Sequence, residues 1–296
     1  MSESMHTDLA LEAREALLHA SPGEADGILF EEERVGSFHT LVSTVRVLTP
    51  AGEQAVGKPR GTYITLENPL LRQNVLDAHE EISSLLSETL ARLFPLKKKD
   101  RVLIVGLGNE DVTADALGPL CVSGLLVTRH LSGILPQELE GRLRSVCALA
   151  PGVMGQTGIE TLEIIQGIQQ KIRSDAIILI DALAAGNTRR INATIQLTDT
   201  GVCPGSGIGN RRQTLSPKTL GVPVAAIGIP TVVDARTIIL EAVPEASRES
   251  LSAIDSLYVT PKDMDAVAKR LARILADGLN RYLHDLSSEE FRSYLY

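Results

Sequence analysis

"RVLIVGLGNEDVTADALGPL", Arg101 to Leu120, decides the fold. Val102 to Leu107 is a near-continuous apolar run of strand length, the pattern of a strand buried on both faces rather than one facing water. It empties into the turn Gly106-Leu107-Gly108-Asn109, and a helix begins near Asp115 or Leu117. The same alternation repeats downstream. "RSVCALAPG" is a short strand stopped by Pro151 and Gly152, "IETLEIIQGIQQKI" a helix, and "AIILID" a buried strand ending at Asp181. "INATIQLTDTG" reads as a half-buried strand, "GVCPGSGIGNRR" as a glycine-rich loop, "VPVAAIGIP" as a strand and "TVVDARTIILEAV" as a helix. One long amphipathic helix, "MDAVAKRLARILADGLNRYLHDL", closes the chain. Strands alternating with helices predict an α/β three-layer sandwich, its central sheet largely parallel and covered by helices.

Upstream the character differs. Leu9 to His19, "LALEAREALLH", has helical spacing and follows a short polar leader, Met1 to Asp8. "FHTLVSTVRVL" and "TYITLE" predict a small antiparallel β segment, with Pro50 and Gly52 of "TPAGE" supplying a turn. "NVLDAHEEISSLLSETLARL" predicts a helix. No internal repeat is present, so the chain reads as a leader, residues 1–8, and a single α/β domain, residues 9–296.

Composition narrows the function. The 296 residues are 44% hydrophobic, 22% charged and only 3% aromatic, without Trp. The core is packed by Leu, Ile, Val and Ala, with little material for stacking on nucleic-acid bases. A formal charge of −8 is the wrong sign for a phosphate backbone. No direct nucleic-acid partner is expected, nor a membrane one, because no stretch of eighteen apolar residues exists. The N-terminus lacks the form of a secretory signal. Cys121, Cys147 and Cys203 are odd in number and widely spaced, the usage of a reduced, cytoplasmic protein.

Two acids hold corresponding places. Asp181 directly follows "IILI", and Asp115 follows "VLIVGL" by a loop, so both fall at the carboxyl edge of a strand, where open α/β sheets bind ligands. If the strands are neighbours, the carboxylates face each other and cannot both ionise easily; one keeps a proton, giving an acid and a base able to activate water at a peptide carbonyl. The alternative is that each caps a following helix. The amides of Gly106, Gly108 and Asn109 are candidates to support an oxyanion. A dinucleotide fingerprint lacks its third glycine, and Asn109, Glu110 and Asp111 follow where a pyrophosphate would sit. Ser206 lacks the strand-turn-helix setting of a nucleophile elbow. Asp234 and Glu160 read as helix-start residues.

Several long motifs carry a resemblance: "VGLGNEDVTADALGPLCVSGLLVTRHL", "CALAPGVMGQTGIETLEII", "DALAA", "TIQLTDTGVCPGSGIGNRR", "LGVPVAAIGIPTVVDA" and "GKPRGTYITLE". From about Thr7 to Leu240 the chain resembles the germination protease family of endospore-forming bacteria. The resemblance implies an atypical aspartic peptidase, without cofactor or metal, that degrades small acid-soluble spore proteins in the spore core. It implies that Asp115 and Asp181 match the family's two essential aspartates, which favours the dyad over the caps. It further implies a homotetramer made as a zymogen. Family substrates are cut after an acid that precedes a hydrophobic residue and Ala; Thr7-Asp8-Leu9-Ala10 repeats that form, so autoprocessing between Asp8 and Leu9 is expected.

Two other readings stay open. The hydrogenase-maturation peptidases share the strand, glycine loop and acid, and recognise nickel with those acids and a His. Between Leu131 and Leu283 this chain has no His, leaving His130 or another acid as the substitute ligand. An α/β protein that binds a nucleotide through the glycine loops is the second.

Overall fold

The apolar run at 102–106 is a strand near the middle of one mixed sheet. A computed structural model of the protein describes residues 7–20, 27–134, 139, 141–205, 212–243, 245, 249–254, 257–286 and 290. In chain order the elements are α1 (Ala10–Ala20), β1 (Ile28–Val35), β2 (Thr40–Val47), α2 (Pro50–Val56), β3 (Gly61–Glu67), α3 (Leu76–Leu93), β4 (Val102–Gly106), α4 (Leu117–Ser123) and β5 (Val146–Leu149). There follow α5 (Met154–Thr157), α6 (Thr161–Ile172), β6 (Ala176–Ala185), β7 (Thr194–Thr198), α7 (Pro217–Leu220), β8 (Val224–Asp234), α8 (Ala235–Ala242), β9 (Tyr258–Val259) and α9 (Met264–Leu283).

The sheet order is β1-β2-β3-β7-β8-β6-β4-β5, with β9 on β8. β5, β4, β6 and β8 run parallel. β7 is antiparallel to both β8 and β3, and so joins the N-terminal strands to the parallel block. The expected antiparallel segment is therefore the far half of the same sheet. "TPAGE" is not its turn: Thr49 caps α2 by accepting the Gly52 amide at 3.1 Å, and Pro50 occupies the first helical turn, where its missing N–H costs nothing. β1, with Glu31 to Glu33 exposed, is an edge strand that the apolar pattern does not reveal.

Helices cover both faces. On one, α3, α4 and α9 bury Ile104, Ile178, Ile180, Leu197 and Ile227. On the other, α6 and α7 pack on Leu103, Val105, Ile177 and Leu179, and α1 packs on Val45, Val47 and Tyr63. Those last two clusters share a face, because in-register neighbours point the same way and Val45, Tyr63, Thr198, Ala226, Leu179 and Val105 form one row across the sheet. Two residues further along these strands runs a second row on that face: Thr65, Gln196, Gly228 and Asp181. It is more polar than the first, and its last member, Asp181, lines the cavity described next. Among the described residues no helix is long and apolar enough to cross a membrane.

Candidate active site

Asp181 does not end its strand. β6 continues to Ala185 because β8 pairs with it that far, whereas β4 stops at Gly106 opposite Ile180. Asp181 is thus the first residue of β6 without a partner on the β4 side. The gap is filled by the loop carrying Asp115. β4 and β6 are neighbours, as the pairing of two carboxylates requires.

The glycines explain how that loop fits. A side chain at Gly106 would lie 2.2 Å from the Gly118 carbonyl, and one at Gly118 would lie 2.2 Å from the Leu107 carbonyl. The start of α4 therefore rests directly on the backbone leaving β4. Gly108 has a φ of +111° and faces the Asp115 carbonyl, 2.0 Å from where a Cβ would stand. Protein backbone occupies the space a phosphate would need at these glycines. Asp115 sits in a 3-10 turn, Thr113–Asp115, and its Oδ2 accepts the Asn109 amide at 2.8 Å. From the other side Thr231 Oγ1 donates to the Ala114 carbonyl at 2.6 Å; Thr231 is the extra residue of the bulge where β8 shifts register against β6.

Neither acid caps a helix. Ala116 is the N-cap of α4, and Asp181 lies within a strand. Asp234 does cap, accepting the Arg236 amide at 2.8 Å at the start of α8. Glu160 stands at the N-cap of α6 without a side-chain cap bond. The Asn109 amide is spent on Asp115 and the Leu107 amide on the Ile180 carbonyl, so these two amides build the acid's position, while Gly108 lines the cavity. His130 lies in an exposed 3-10 turn, Arg129–Leu131, away from the cavity. Ser206 lies outside the described residues.

Asp115 and Asp181 line one cavity of about 270 Å³. Asp181 is 6% exposed. Burial pushes its carboxyl well above the ordinary range, and the charges of Asp115 and Asp8 push the same way; the Ala182 amide, 2.9 Å from Oδ1, and Arg212 oppose them. Burial also raises Asp115, against the Asn109 amide and Arg212. The two acids differ in support: Asp115, less enclosed and holding a loop amide, is the easier to ionise. Arg212 also lines the cavity.

The third acid in the cavity is Asp8, from the leader. Its amide donates to the Ala184 carbonyl at 3.0 Å and its Oδ2 accepts the Ala184 amide at 2.9 Å. Its own carbonyl accepts from Lys58 Nζ at 3.0 Å and from Gln196 Nε2 at 3.1 Å. Leu9 and Ala10 follow, both fully buried. Lys58 and Gln196 are missed by motif reading, although an amide between Ile195 and Leu197 in a wholly buried strand is a signal of sorts.

The chain is similar to several known proteins. The hydrogenase maturation protease HycI of Thermococcus kodakarensis is a structural match at 18% identity and a TM-score of 0.34, over 66% of this chain and 99% of that one. Much closer in sequence is the germination protease of Clostridium tetani, 40% identical, with 99% of each chain covered. That of Clostridium acetobutylicum is 42% identical over 94% of each chain, and that of Bacillus velezensis 38% identical over 97% of this chain and 95% of its own. The model of the germination protease family matches residues 6–248, which include the cavity's three acids. The chain therefore belongs to the germination protease family and is a peptidase.

Proposed function

We propose that this peptidase is an endopeptidase of germinating spores that hydrolyses small acid-soluble spore proteins after an acidic residue, using Asp115 and Asp181. The observation that carries the reading is the meeting of the two acids, in one cavity, with an acidic residue of the chain's own leader. Asp115, held by the Asn109 amide, is the ionised partner and takes a proton from water as the water oxygen attacks the carbonyl carbon. Asp181, buried and facing two other acids, keeps its proton and delivers it to the leaving nitrogen as the C–N bond breaks. The proton taken up by Asp115 then returns the pair to its starting state through solvent.

The same reading makes Asp8–Leu9 a self-cleavage site and the full chain a zymogen. Asp8 is held at the end of β6 by its amide on the Ala184 carbonyl and its carboxylate on the Ala184 amide, so the backbone and the acidic side chain of the residue before the cut are both read there. The family resemblance further supports a homotetramer in the spore core.

Intact mass over time tests the mechanism. Wild-type protein, Asp115→Asn and Asp181→Asn are each incubated with a peptide containing Glu-Ile-Ala, with and without chelator. The expected outcome is cleavage after Glu and loss of residues 1–8 by the wild type only, at least ~10³-fold faster than either variant and indifferent to chelator. Equal cleavage by all three retires the dyad; loss of cleavage with chelator moves the site to a metal-dependent reading.

A further inference from the structure

The two-aspartate chemistry leaves one demand that the acids themselves do not meet. When water attacks a peptide carbonyl the oxygen becomes an oxyanion, and fixed donors at about 2.7–3.1 Å from it are the largest stabilisation an enzyme of this kind supplies. In the glycine turn the Leu107 and Asn109 amides are bonded within the protein, which leaves the Gly108 amide as the turn's single candidate donor where an oxyanion site takes at least two. Elsewhere in the cavity region, however, one carbonyl oxygen is held by two side-chain donors at once. It belongs to Asp8, the residue whose bond to Leu9 is the one to be cut.

We propose that Lys58 and Gln196 form the oxyanion site of this peptidase, for the Asp8–Leu9 bond and for substrate peptides that replace the leader. The inference rests on the proposed function, in that it takes Asp8–Leu9 as a bond the enzyme hydrolyses. Lys58 Nζ stands 3.0 Å and Gln196 Nε2 3.1 Å from the Asp8 carbonyl oxygen. Neither contact is incidental. Lys58 also donates to the Thr7 carbonyl at 3.2 Å, so its position is fixed by two successive carbonyls of the bound strand. Gln196 accepts the Ala10 amide at 2.7 Å through Oε1, so one side chain grips the chain on both sides of the bond. Its partners orient the amide: with Oε1 on an N–H, Nε2 must face the carbonyl.

The sheet explains how these groups reach the dyad's bond. Gln196 and Asp181 occupy one row on one face, separated by Gly228 alone. Gly228 contributes no side chain; Leu183 lies where its Cβ would be, 2.5 Å away. Asp8 joins the two ends of the row: its carbonyl accepts from Gln196, and the residue lines the cavity with Asp181. Lys58 comes from outside the sheet, on the turn between α2 and β3. Burial pulls its ammonium below the ordinary lysine range, and Asp8 and Glu12 push back. A half-buried positive charge, fixed beside a carbonyl oxygen that becomes negative, is worth more in the transition state than in the ground state, which is the condition for catalysis.

The chemical step then balances. Water gives its proton to Asp115 and its oxygen to the Asp8 carbonyl carbon; the carbonyl oxygen takes the electron pair and is held by Lys58 and Gln196. Collapse of that oxyanion re-forms the C=O and expels the Leu9 nitrogen, which takes its proton from Asp181. Asp8 leaves as a carboxylic acid and Leu9 as an amine.

The experiment compares full-length wild type, Lys58→Met, Lys58→Arg, Gln196→Met and Asp181→Asn. Three readouts are taken: loss of residues 1–8 by intact mass, kcat and KM on the Glu-Ile-Ala peptide, and amide exchange at residues 8–10. Lys58→Met is expected to slow both cleavages ~100-fold or more, through kcat with little change in KM, while exchange protection at residues 8–10 persists through the Ala184 contact. Lys58→Arg is expected to recover part of the rate. Gln196→Met is the independent second variant, with a loss of ~10-fold or more. Wild-type cleavage rates in both Lys58→Met and Gln196→Met overturn the inference. So does loss of protection at residues 8–10 together with normal peptide turnover, since Lys58 would then only seat the leader. Asp181→Asn separates the two claims: if it is dead while Lys58→Met is active, only the oxyanion assignment fails, and if it is active the dyad itself fails.

Discussion

At the scale of single residues the site is expensive to fold. Asp181 is buried, and that burial, with the charges of Asp115 and Asp8 nearby, raises its carboxyl well above the ordinary carboxylate range. A carboxyl whose folded pKa lies above its unfolded one favours the folded state fully at pH below the unfolded value, and that contribution is lost as pH rises through the folded value. At neutral and alkaline pH the wild type therefore carries a cost that a neutral isostere avoids. Asp181→Asn is expected to raise the thermal midpoint by about 2–3 °C or more at pH 8 and to lose that advantage as pH falls toward 4. Thermal unfolding of both proteins across that range checks it; a variant less stable than wild type at pH 8, or a gap that widens toward acid, would sink the claim. That this acid sits on a buried strand was legible from "IILID", although the strand runs on to Ala185 and the acid lies where its pairing with β4 stops. Lys58 and Gln196 were not, since nothing local couples them. They meet at the carbonyl of Asp8, far from both in sequence.

At the scale of elements, the question is why a glycine turn should precede the acids. Gly106 and Gly118 let the start of α4 lie on the backbone leaving β4, and Gly108 does the same for the Asp115 turn. The apolar run, the turn and the helix could each be read from residues 101–120; their direct backbone contact could not, because a close approach has no periodicity. Gly118→Ala puts a methyl 2.2 Å from the Leu107 carbonyl and 2.5 Å from its nitrogen, where only backbone can yield. A loss of about 3 kcal/mol or more in denaturant unfolding is expected, whereas Gly167→Ala, on α6 with open space around it, is expected to be neutral or slightly stabilising. Equal stabilities for the two alanine variants would show that α4 can lift from β4 without cost. Strand β6 makes the same point differently. Its sequence "AIILIDALAA" looked finished at Asp181 because the polar residue interrupts the run; the strand continues because β8 keeps supplying partners. Pairing across the sheet, not local pattern, set its length.

At the scale of the molecule, the N-terminal segment must stay in place when the residues before it are cut away. α1 is tied across the sheet by Arg190, which stands 2.7 Å from Glu15, 3.0 Å from Glu67 and 3.5 Å from Glu12. Glu12 is 1% exposed, and its Oε2 accepts the Gly186 amide at 2.6 Å. Its Oε1 makes no hydrogen bond and has the Arg190 guanidinium as its nearby charge. The ion pairs of Arg190 join α1, β3 and the chain leaving β6 without residues 1–8, and the Ala10 amide keeps Gln196 Oε1 after processing; the Thr7 hydroxyl, which donates to Glu12 and accepts the Leu9 amide, is lost with the leader. The antiparallel half of the sheet was legible as two strands, but that α1 bridges it to the parallel half was not, because the bridge is made by acids on a helix and an Arg far away in sequence. Removing the Arg leaves a buried carboxylate without its charge partner, which is costlier than removing both. Arg190→Met is expected to cost about 3–5 kcal/mol in unfolding free energy, and Arg190→Met combined with Glu12→Gln clearly less than the sum of the two single changes. Urea unfolding of the four proteins closes the cycle. Additive losses would mean that Glu12 and Arg190 do not act together, and that α1 is held by its apolar face on β2 and β3 alone.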